Sequence, residues 1–439
     1  YEIASCLVGS EMCIRDRFDA AESEVKARNI AEAKFFRAIC YFELTTLWGT
    51  PPLVDRVLKN SEEYKVPNST AEQLWKFMET DLTEAITSGK LTSKTSLEDR
   101  DGGTRATLEA ARCLLGKIYL YQEKYADAKS ELEKVISSGK YDLIADVSTF
   151  YHPASAGCKE YVLECVRHYD PSNMYSQEGW FGILANWGFG YGFIAGPEAS
   201  MHYKFNTTSG YSYFNPSKSL YDAFVAEEGA DGYRLNAWIR TWEQVIAMNI
   251  AVNTTTNKYA SEGYFRLKWL ASTDDEFVGY WCGNQSNTPV IRYADVLLMA
   301  AEACLQAGDQ AGADEYLGRV RDRARLPRKS HVTLSDIKLE RRLELAMEGM
   351  RFQDLKRWGD APAVLADKGK KLPTFQIVPD PNNDLTTAAG IYNARYTTKT
   401  TYVDNEKSLA GWTPNRDEWL PFPENELEVN SNLKQNPGY

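Results

Sequence analysis

The chain has 439 residues, of which 43% are hydrophobic, 12% aromatic and 25% charged, and its formal net charge is −11. This length suffices for one large domain or two coupled ones. The negative charge argues against a nucleic-acid partner, which would need a basic face, and no apolar run approaches the roughly 18 residues of a transmembrane helix.

The first 17 residues differ from the rest of the chain. Ile3-Ala4-Ser5-Cys6 has the spelling of a lipobox, whose cysteine is lipidated after signal cleavage, but the basic and apolar segments that precede a lipobox are absent. Residues 1–17 resemble translated adapter sequence, and we interpret them as non-native. We therefore expect the native start, with any export signal and lipid anchor, to be missing from this chain.

Four helices are predicted within residues 18–140. The first runs from about Asp19 to Trp48, and its packing stripe repeats at three- and four-residue steps: Ala27, Ala31, Phe35, Ala38, Phe42 and Thr45. Ser69-Thr70 is an N-cap candidate for the second helix, which ends at Gly89. The third and fourth, 105–122 and 125–138, have a tetratricopeptide-like pattern of small and aromatic residues at their expected contact: Ala110, Gly116, Tyr119, Ala126 and Ala128.

Residues 141–289 form a long insertion of different character. Trp, Tyr and Phe are frequent there among Gly, Ser and Asn, and clean helical periodicity is confined to Lys218–Glu227 and Asp231–Ile246. A structureless loop of this length would be unusual in a compact protein. We expect the insertion to be either a functional segment or a folded lobe.

Residues 290–439 return to the helical pattern. Helices are predicted at 292–307, 310–325 and 335–358, the first two again with small residues at their contact, and the chain after Trp358 is predicted to be rich in loops. The predicted fold class is therefore mainly α, with a tetratricopeptide-like scaffold of about four helix pairs packed against an irregular, loop-rich lobe.

Cysteine and histidine give no indication of a metal or cofactor. The eight Cys show neither CxxC nor zinc-like spacing, and the four His form no HExxH pair. Cys40, Cys113 and Cys304 lie in apolar helical patterns, where a reduced thiol behaves as a small hydrophobic side chain. No cofactor and no metal site are predicted.

Three groups of motifs, in order along the chain, resemble the SusD/RagB family. The first combines Ala31–Ala38 and Tyr41-Phe42 with the exit Leu47–Val54. The second combines Pro289–Leu298 and Ala300–Ala303 with Arg341–Phe352 and Asp354–Gly359. The third is the ending, Leu420–Leu427 with Asn430, Leu433 and Gln435–Tyr439. Together they extend from about residue 20 to the last residue.

The resemblance implies a surface lipoprotein of the outer membrane that captures a glycan, without catalysis, for a SusC-like TonB-dependent transporter. Membrane attachment would depend on the lipid anchor missing from this chain. Sugar rings stack on aromatic side chains, and amides bond their hydroxyl groups. The candidate glycan-binding residues, all in loop-like stretches of the insertion, are Trp187, Trp281, Tyr191, Trp180, Tyr280, Asn186 and Asn284.

Three alternatives stay open. Some branches of the family import peptides, so the ligand could be a peptide; a tetratricopeptide array could instead be an interaction scaffold. A glycoside hydrolase needs paired carboxylates, for which Asp274, Asp275 and Glu276 are the available group.

The charged residues of the family motifs, among them Arg292, Asp295, Glu344, Glu348 and Arg351, are interpreted as ion pairs that fix helix packing rather than as a site.

Overall fold

The computed structural model describes residues 23–166, 193–194, 215–241, 243–244, 251–252, 258–259, 261–268, 287–384, 386–387, 390, 395–406 and 410–439. Within these ranges the protein is mainly helical, as predicted, with a few short strands. The predicted segment 1–17 lies outside the described residues. No helix in the described ranges has both the length and the apolar character needed to cross a membrane.

The N-terminal part consists of four helices: α1 (Ser23–Trp48), α2 (Ala71–Thr87), α3 (Leu108–Tyr121) and α4 (Tyr125–Ser137). The predicted stripe of α1 is buried from Ala31 to Thr45, whereas Ala27 is half-exposed. The predicted cap of α2 is confirmed, since Thr70 and Gln73 form a reciprocal capping box. Chain direction reverses between α3 and α4, and these helices pack closely.

Small residues explain how close α3 and α4 come. A Cβ atom at Gly116 would lie 2.7 Å from Cγ of Leu132, so no larger residue fits there without movement. Ala110 and Ala128 are buried as the pattern predicts, and Tyr119 is half-buried. Ala126 is exposed, so its place in the predicted contact is wrong: it lies on the solvent side of α4.

The C-terminal part begins with α7 (Tyr293–Gln306), α8 (Gln310–Arg323) and α9 (Leu334–Glu344), followed by α10 (Arg351–Arg357) and α11 (Ala361–Val364). The predicted single helix 335–358 is thus broken. Met347 and Gly349 both adopt left-handed backbone conformations, with φ of 65° and 82°, which end the helical path. Helix α7 packs against α4 as well as α8, and both parts contribute to one hydrophobic core.

The described residues of the insertion contain α5 (Lys218–Glu228), α6 (Tyr233–Trp238) and seven short strands. These are β1 (Tyr161–Cys165), β2 (Phe193–Ile194), β3 (Ile239–Thr241), β4 (Ala251–Val252), β5 (Lys258–Tyr259), β6 (Tyr264–Arg266) and β7 (Thr288–Arg292). The predicted helix at Lys218 is confirmed. The second predicted helix is too long, because the chain leaves helix after Trp238 and pairs as β3 with β6. The described residues of the insertion form a hydrophobic cluster around Phe150, Phe224 and Trp238, to which Leu343 and Ala346 of the C-terminal part contribute.

The segment after α11 is more regular than predicted. It contains β8 (Lys371–Pro379) and β9 (Tyr396–Asp404), which pair along their full length, and the short helix α12 (Glu424–Val429). The prediction of loops relied on the prolines, but Pro373 and Pro379 are accommodated within β8, the central strand of a three-stranded sheet in the order β5-β8-β9. The five Cys in the described ranges are free thiols; Cys113 and Cys304 are buried as predicted, and Cys40 is half-exposed.

Candidate functional site

The seven candidate glycan-binding residues lie outside the described residues, so their mutual arrangement stays a prediction. What the structure describes is how the segments that carry them join the scaffold. The segment with Trp180, Asn186, Trp187 and Tyr191 follows β1 in the sequence, and the segment with Tyr280, Trp281 and Asn284 precedes β7. Strand β1 therefore precedes, and strand β7 follows, all seven candidate residues in the sequence.

Strands β1 and β7 form the neck of the insertion. They pair antiparallel, with Tyr161 opposite Arg292 and Cys165 opposite Thr288, so Tyr161–Cys165 and Thr288–Arg292 lie side by side. Glu164 reinforces the neck, accepting hydrogen bonds from Asn287 Nδ2 at 3.0 Å and from the Gly157 amide at 2.8 Å. Burial raises the pKa of Glu164, although Asn287 and Gly157 oppose this rise.

The floor of the insertion is an aromatic core beside the neck. The rings of Phe224 and Trp238 meet edge to face with centroids 6.3 Å apart, and the Trp238 indole donates to the Val147 carbonyl at 3.1 Å. Phe150 packs against Tyr161 of β1 and against Trp238. Part of the aromatic content that distinguishes the insertion in the sequence is therefore core, while the candidate stacking residues belong to other segments.

A buried ion-pair network joins this floor to the scaffold. Arg234 of α6 contacts three carboxylates: Glu228 at 2.7 Å, Glu340 at 2.5 Å and Glu344 at 3.0 Å, the last two from α9. The side chains of Arg234 and Glu344 are both fully buried. Charges so deeply buried require partners, and here insertion and scaffold supply partners to each other.

Arg292, the last residue of β7, is the second centre of this network. Its guanidinium contacts Glu160 at 2.6 Å, Glu344 at 3.1 Å and Glu348 at 2.7 Å. Lys268 reaches the same place from the insertion, with Nζ 2.5 Å from Glu348 and 3.0 Å from the Glu344 carbonyl oxygen. Arg292 is thus bonded both to the insertion, through Glu160, and to the helical scaffold, through Glu344 and Glu348.

The electrostatics of the network keep its central carboxylates ionised. Burial disfavours the charged form of Glu344, but Arg323, Arg292 and Arg234 hold its pKa well below the ordinary value for a glutamate. Burial lowers the pKa of Lys268 to about 8, with Glu348 opposing the shift. A carboxylate held ionised by buried arginines is not a proton donor of the kind that glycoside hydrolysis needs.

The interpretation of the motif charges as scaffold ion pairs is confirmed for most of them. Asp295 lies 2.7 Å from Arg341, which also contacts Asp354 at 2.9 Å. Arg351 is an exception, because it forms no ion pair in the described part of the chain, and burial lowers its pKa. The possible hydrolase carboxylates Asp274, Asp275 and Glu276 lie outside the described ranges.

The insertion's contribution to the network was missed at the sequence level. Arg234 and Lys268 look like ordinary surface charges in a polar, aromatic-rich stretch, and Glu160 and Arg323 lie outside the family motifs. Their partners are distant in sequence: Arg234 and Glu344 are 110 residues apart. The available signal was the four-residue spacing of Glu340 and Glu344, which places two carboxylates on one face of α9.

One group of possible metal ligands occurs in the described ranges, away from the insertion. Side-chain atoms of Glu133, Cys304 and Asp309 lie within 4.8 Å of one another. Lys129 Nζ already contacts Asp309 at 2.8 Å. Burial, reinforced by Glu133, raises the pKa of the Cys304 thiol to about 12. One of the three possible ligands, Asp309, is thus already paired with a cation.

The architecture is that of a tetratricopeptide-like helical scaffold carrying a folded insertion, and comparison with known proteins identifies its family. The model of the SusD family matches residues 159–439, well over half of the chain. A second model, described as "Starch-binding associating with outer membrane", matches residues 15–120. The chain belongs to the SusD family.

Individual relatives agree with this assignment. A SusD-like protein of Bacteroides ovatus is 25% identical over 94% of this chain and 74% of its own length, and SusD-like protein P2 of Formosa agariphila is 26% identical over 93% and 74%. Among solved structures, a laminarin-binding SusD-like protein has a TM-score of 0.78 at 27% identity, covering 99% of this chain and 84% of that one. Surface glycan-binding protein A from Bacteroides thetaiotaomicron, in complex with laminarihexaose, has a TM-score of 0.73 at 23% identity, covering 98% and 83%, and supports the fold.

Proposed function

We propose that this protein binds an oligosaccharide or polysaccharide through its insertion and passes it, without cleaving it, to a SusC-like TonB-dependent transporter. The observation that carries the proposal is the similarity to the laminarin-binding SusD-like protein, which extends over 99% of the chain at 27% identity. The proposed location is the outer-membrane surface, supported by the family description matched at residues 15–120.

Laminarin is the first ligand to test. Laminarin is the glycan named for the similar laminarin-binding SusD-like protein. We therefore propose a glycan as the ligand class and laminarin as the particular glycan to test. The proposed contact residues are those of the sequence prediction, led by Trp187 and Trp281, which stand beside Gly188 and Gly283 in the sequence. Stacking of one sugar ring on one aromatic side chain contributes about 1 kcal/mol, by analogy with other aromatic contacts.

Isothermal titration calorimetry with laminarin oligosaccharides and a panel of other glycans tests binding. Trp187→Ala and Trp281→Ala should each weaken binding roughly fivefold or more, since about 1 kcal/mol corresponds to that factor. Trp412→Ala is the matched control: Trp412 is a half-buried Trp outside the insertion. The proposed contacts would be wrong if only Trp412→Ala lost affinity. They would also be wrong if none of the three variants lost affinity.

Two further measurements separate the alternatives. If no glycan binds and peptides do, import of peptides replaces import of glycans as the proposed function. Release of shorter products from a bound glycan would contradict the non-catalytic proposal, and the Asp274, Asp275 and Glu276 group would then be the first to mutate. Co-purification with a SusC-like transporter encoded by the same organism tests delivery.

A further inference from the structure

A cavity of about 490 Å³ lies far from the insertion in sequence, between the C-terminal half of α1, residues 51–58 and the C-terminal segment. Its lining is mostly aliphatic or aromatic and includes Ile39, Leu44, Trp48, Pro52, Phe422 and Leu433. No lining residue belongs to residues 141–289. A volume of roughly 300–1,000 Å³ with mainly apolar walls is typical of small-molecule sites.

Hydrogen bonds hold the walls of this cavity in place. The Tyr41 hydroxyl accepts from the Val54 amide at 2.7 Å, which ties residues 51–58 to α1. The Trp48 indole donates to the Pro421 carbonyl at 3.0 Å, and Asn436 Nδ2 donates to the Trp48 carbonyl at 2.9 Å. These bonds join the C-terminal segment to the end of α1. A site formed in advance loses little free energy to ordering when a ligand enters.

The charged residues among those that line the cavity are two carboxylates, Glu43 and Glu426. Glu43 is exposed and accepts a hydrogen bond from Gln353 Nε2 at 3.0 Å. Glu426 is half-buried, and in the described part of the chain its carboxylate accepts no hydrogen bond. It lies in α12, which also carries Glu424 and Glu428. An apolar chamber with acidic groups in its wall favours a positively charged apolar ligand over a negatively charged one.

We infer that this cavity is a second binding site, for a small amphiphile that places an apolar body among Ile39, Leu44 and Phe422 and a cationic group beside Glu426. The ligand class is an alkyl- or arylammonium compound. The described residues that line the cavity include none of the proposed glycan-binding residues, and we expect its occupancy not to depend on a glycan.

Calorimetric titration of the full chain with three probes of equal length, octylammonium, octanol and octanoate, tests the inference below their aggregation concentrations. Octylammonium should bind roughly tenfold more tightly than octanoate, because the wall attracts one head group and repels the other. Octanol should lie between them. Failure of octylammonium to bind, or equal affinities for the ammonium and the carboxylate, overturns the inference.

Variants locate the site. Cys40→Phe places a larger side chain at a half-exposed lining position and should reduce octylammonium affinity at least tenfold; Val403→Phe, at a position 62% exposed on β9, should not. Glu426→Gln should reduce the preference for octylammonium over octanoate by about two- to fivefold, and Glu72→Gln, an exposed acid on α2 outside the cavity, should leave it unchanged.

Thermal melting of each variant verifies folding, and glycan titration of the same samples reports on the insertion separately. Equal losses in Cys40→Phe and Val403→Phe mean that the probes bind elsewhere, which overturns the inference. If octylammonium binds as expected and no glycan does, the cavity site stands and the proposed glycan function fails.

Discussion

Replacing Glu344 with glutamine removes one negative charge from the ion-pair network while keeping the size of the side chain. In the wild type this carboxylate contacts Arg234 at 3.0 Å and Arg292 at 3.1 Å, and it also bonds Arg323. Removing one partner of a buried ion pair costs about 3–5 kcal/mol. Because Gln leaves no cavity and keeps one acceptor oxygen, we expect a loss near the lower end, about 3 kcal/mol.

Urea unfolding followed by circular dichroism measures this loss. The slope reaches about 3 kcal/mol/M for small proteins and increases with size, so the midpoint should fall by at most about 1 M. The matched control is Asp222→Asn, which removes the same charge from an ion pair with Lys218 whose side chains are both 55% exposed. Exposed pairs of this spacing contribute about 0.3–0.5 kcal/mol, so the urea midpoint of Asp222→Asn should differ little from that of the wild type.

The pH dependence gives a second, independent test of Glu344→Gln. The folded protein holds the pKa of Glu344 below its unfolded value of about 4.3. The stabilisation is therefore complete above that unfolded value and is lost as the pH falls through the folded pKa. The difference in stability between wild type and variant should shrink in acid. A difference below about 1 kcal/mol at pH 7, or one that does not shrink, would refute the electrostatic reasoning.

Three further predictions concern other positions. Burial lowers the pKa of Lys268 to about 8, so between pH 8 and about 10.4 the folded protein binds fewer protons at this group than the unfolded chain does. The free energy of unfolding should therefore rise with pH through that window. Lys268→Met should remove this rise, as measured by urea midpoints. Gly116→Leu should destabilise by about 1–3 kcal/mol through its clash with Leu132, unlike exposed Ala126→Leu. Thr70→Ala should cost about 1 kcal/mol of thermal stability by removing the cap of α2.

The helical scaffold could be predicted because its signals are local. A capping residue at Thr70, repeated small residues at Gly116 and Ala128, and apolar residues at helical steps each depend on neighbours a few positions away. The break after α9 was not visible, because Met347 is a normal helix former that is held in a left-handed conformation by its tertiary surroundings. The pairing of β8 with β9 was hidden by Pro373 and Pro379, which lie outside the two β8 residues that pair with β5.

For the candidate site, only the amino-acid composition of the insertion could be interpreted from the sequence. Aromatic residues in Gly- and Asn-rich sequence indicated a ligand-binding lobe, but the sequence could not separate aromatic residues of the floor, such as Trp238, from those proposed to stack on sugar. The ion pairs of the lobe were beyond prediction for another reason. Apart from Glu228, the partners of Arg234 and Lys268 lie more than seventy positions away, and no periodicity relates them.

The placement of these charges bears on how the proposed glycan site would work. Apolar contacts at the base of the insertion would allow small sliding movements at little cost, whereas buried guanidinium groups must keep their carboxylates or remain unpaired in a medium of low polarity. Glu344 bonds Arg234 of the insertion and Arg292 at the neck at the same time. Displacing the insertion therefore separates several ion pairs together. If the network fixes the insertion in this way, Glu344→Gln should weaken glycan binding under conditions where the variant remains folded, although Glu344 is fully buried and is not one of the proposed contact residues.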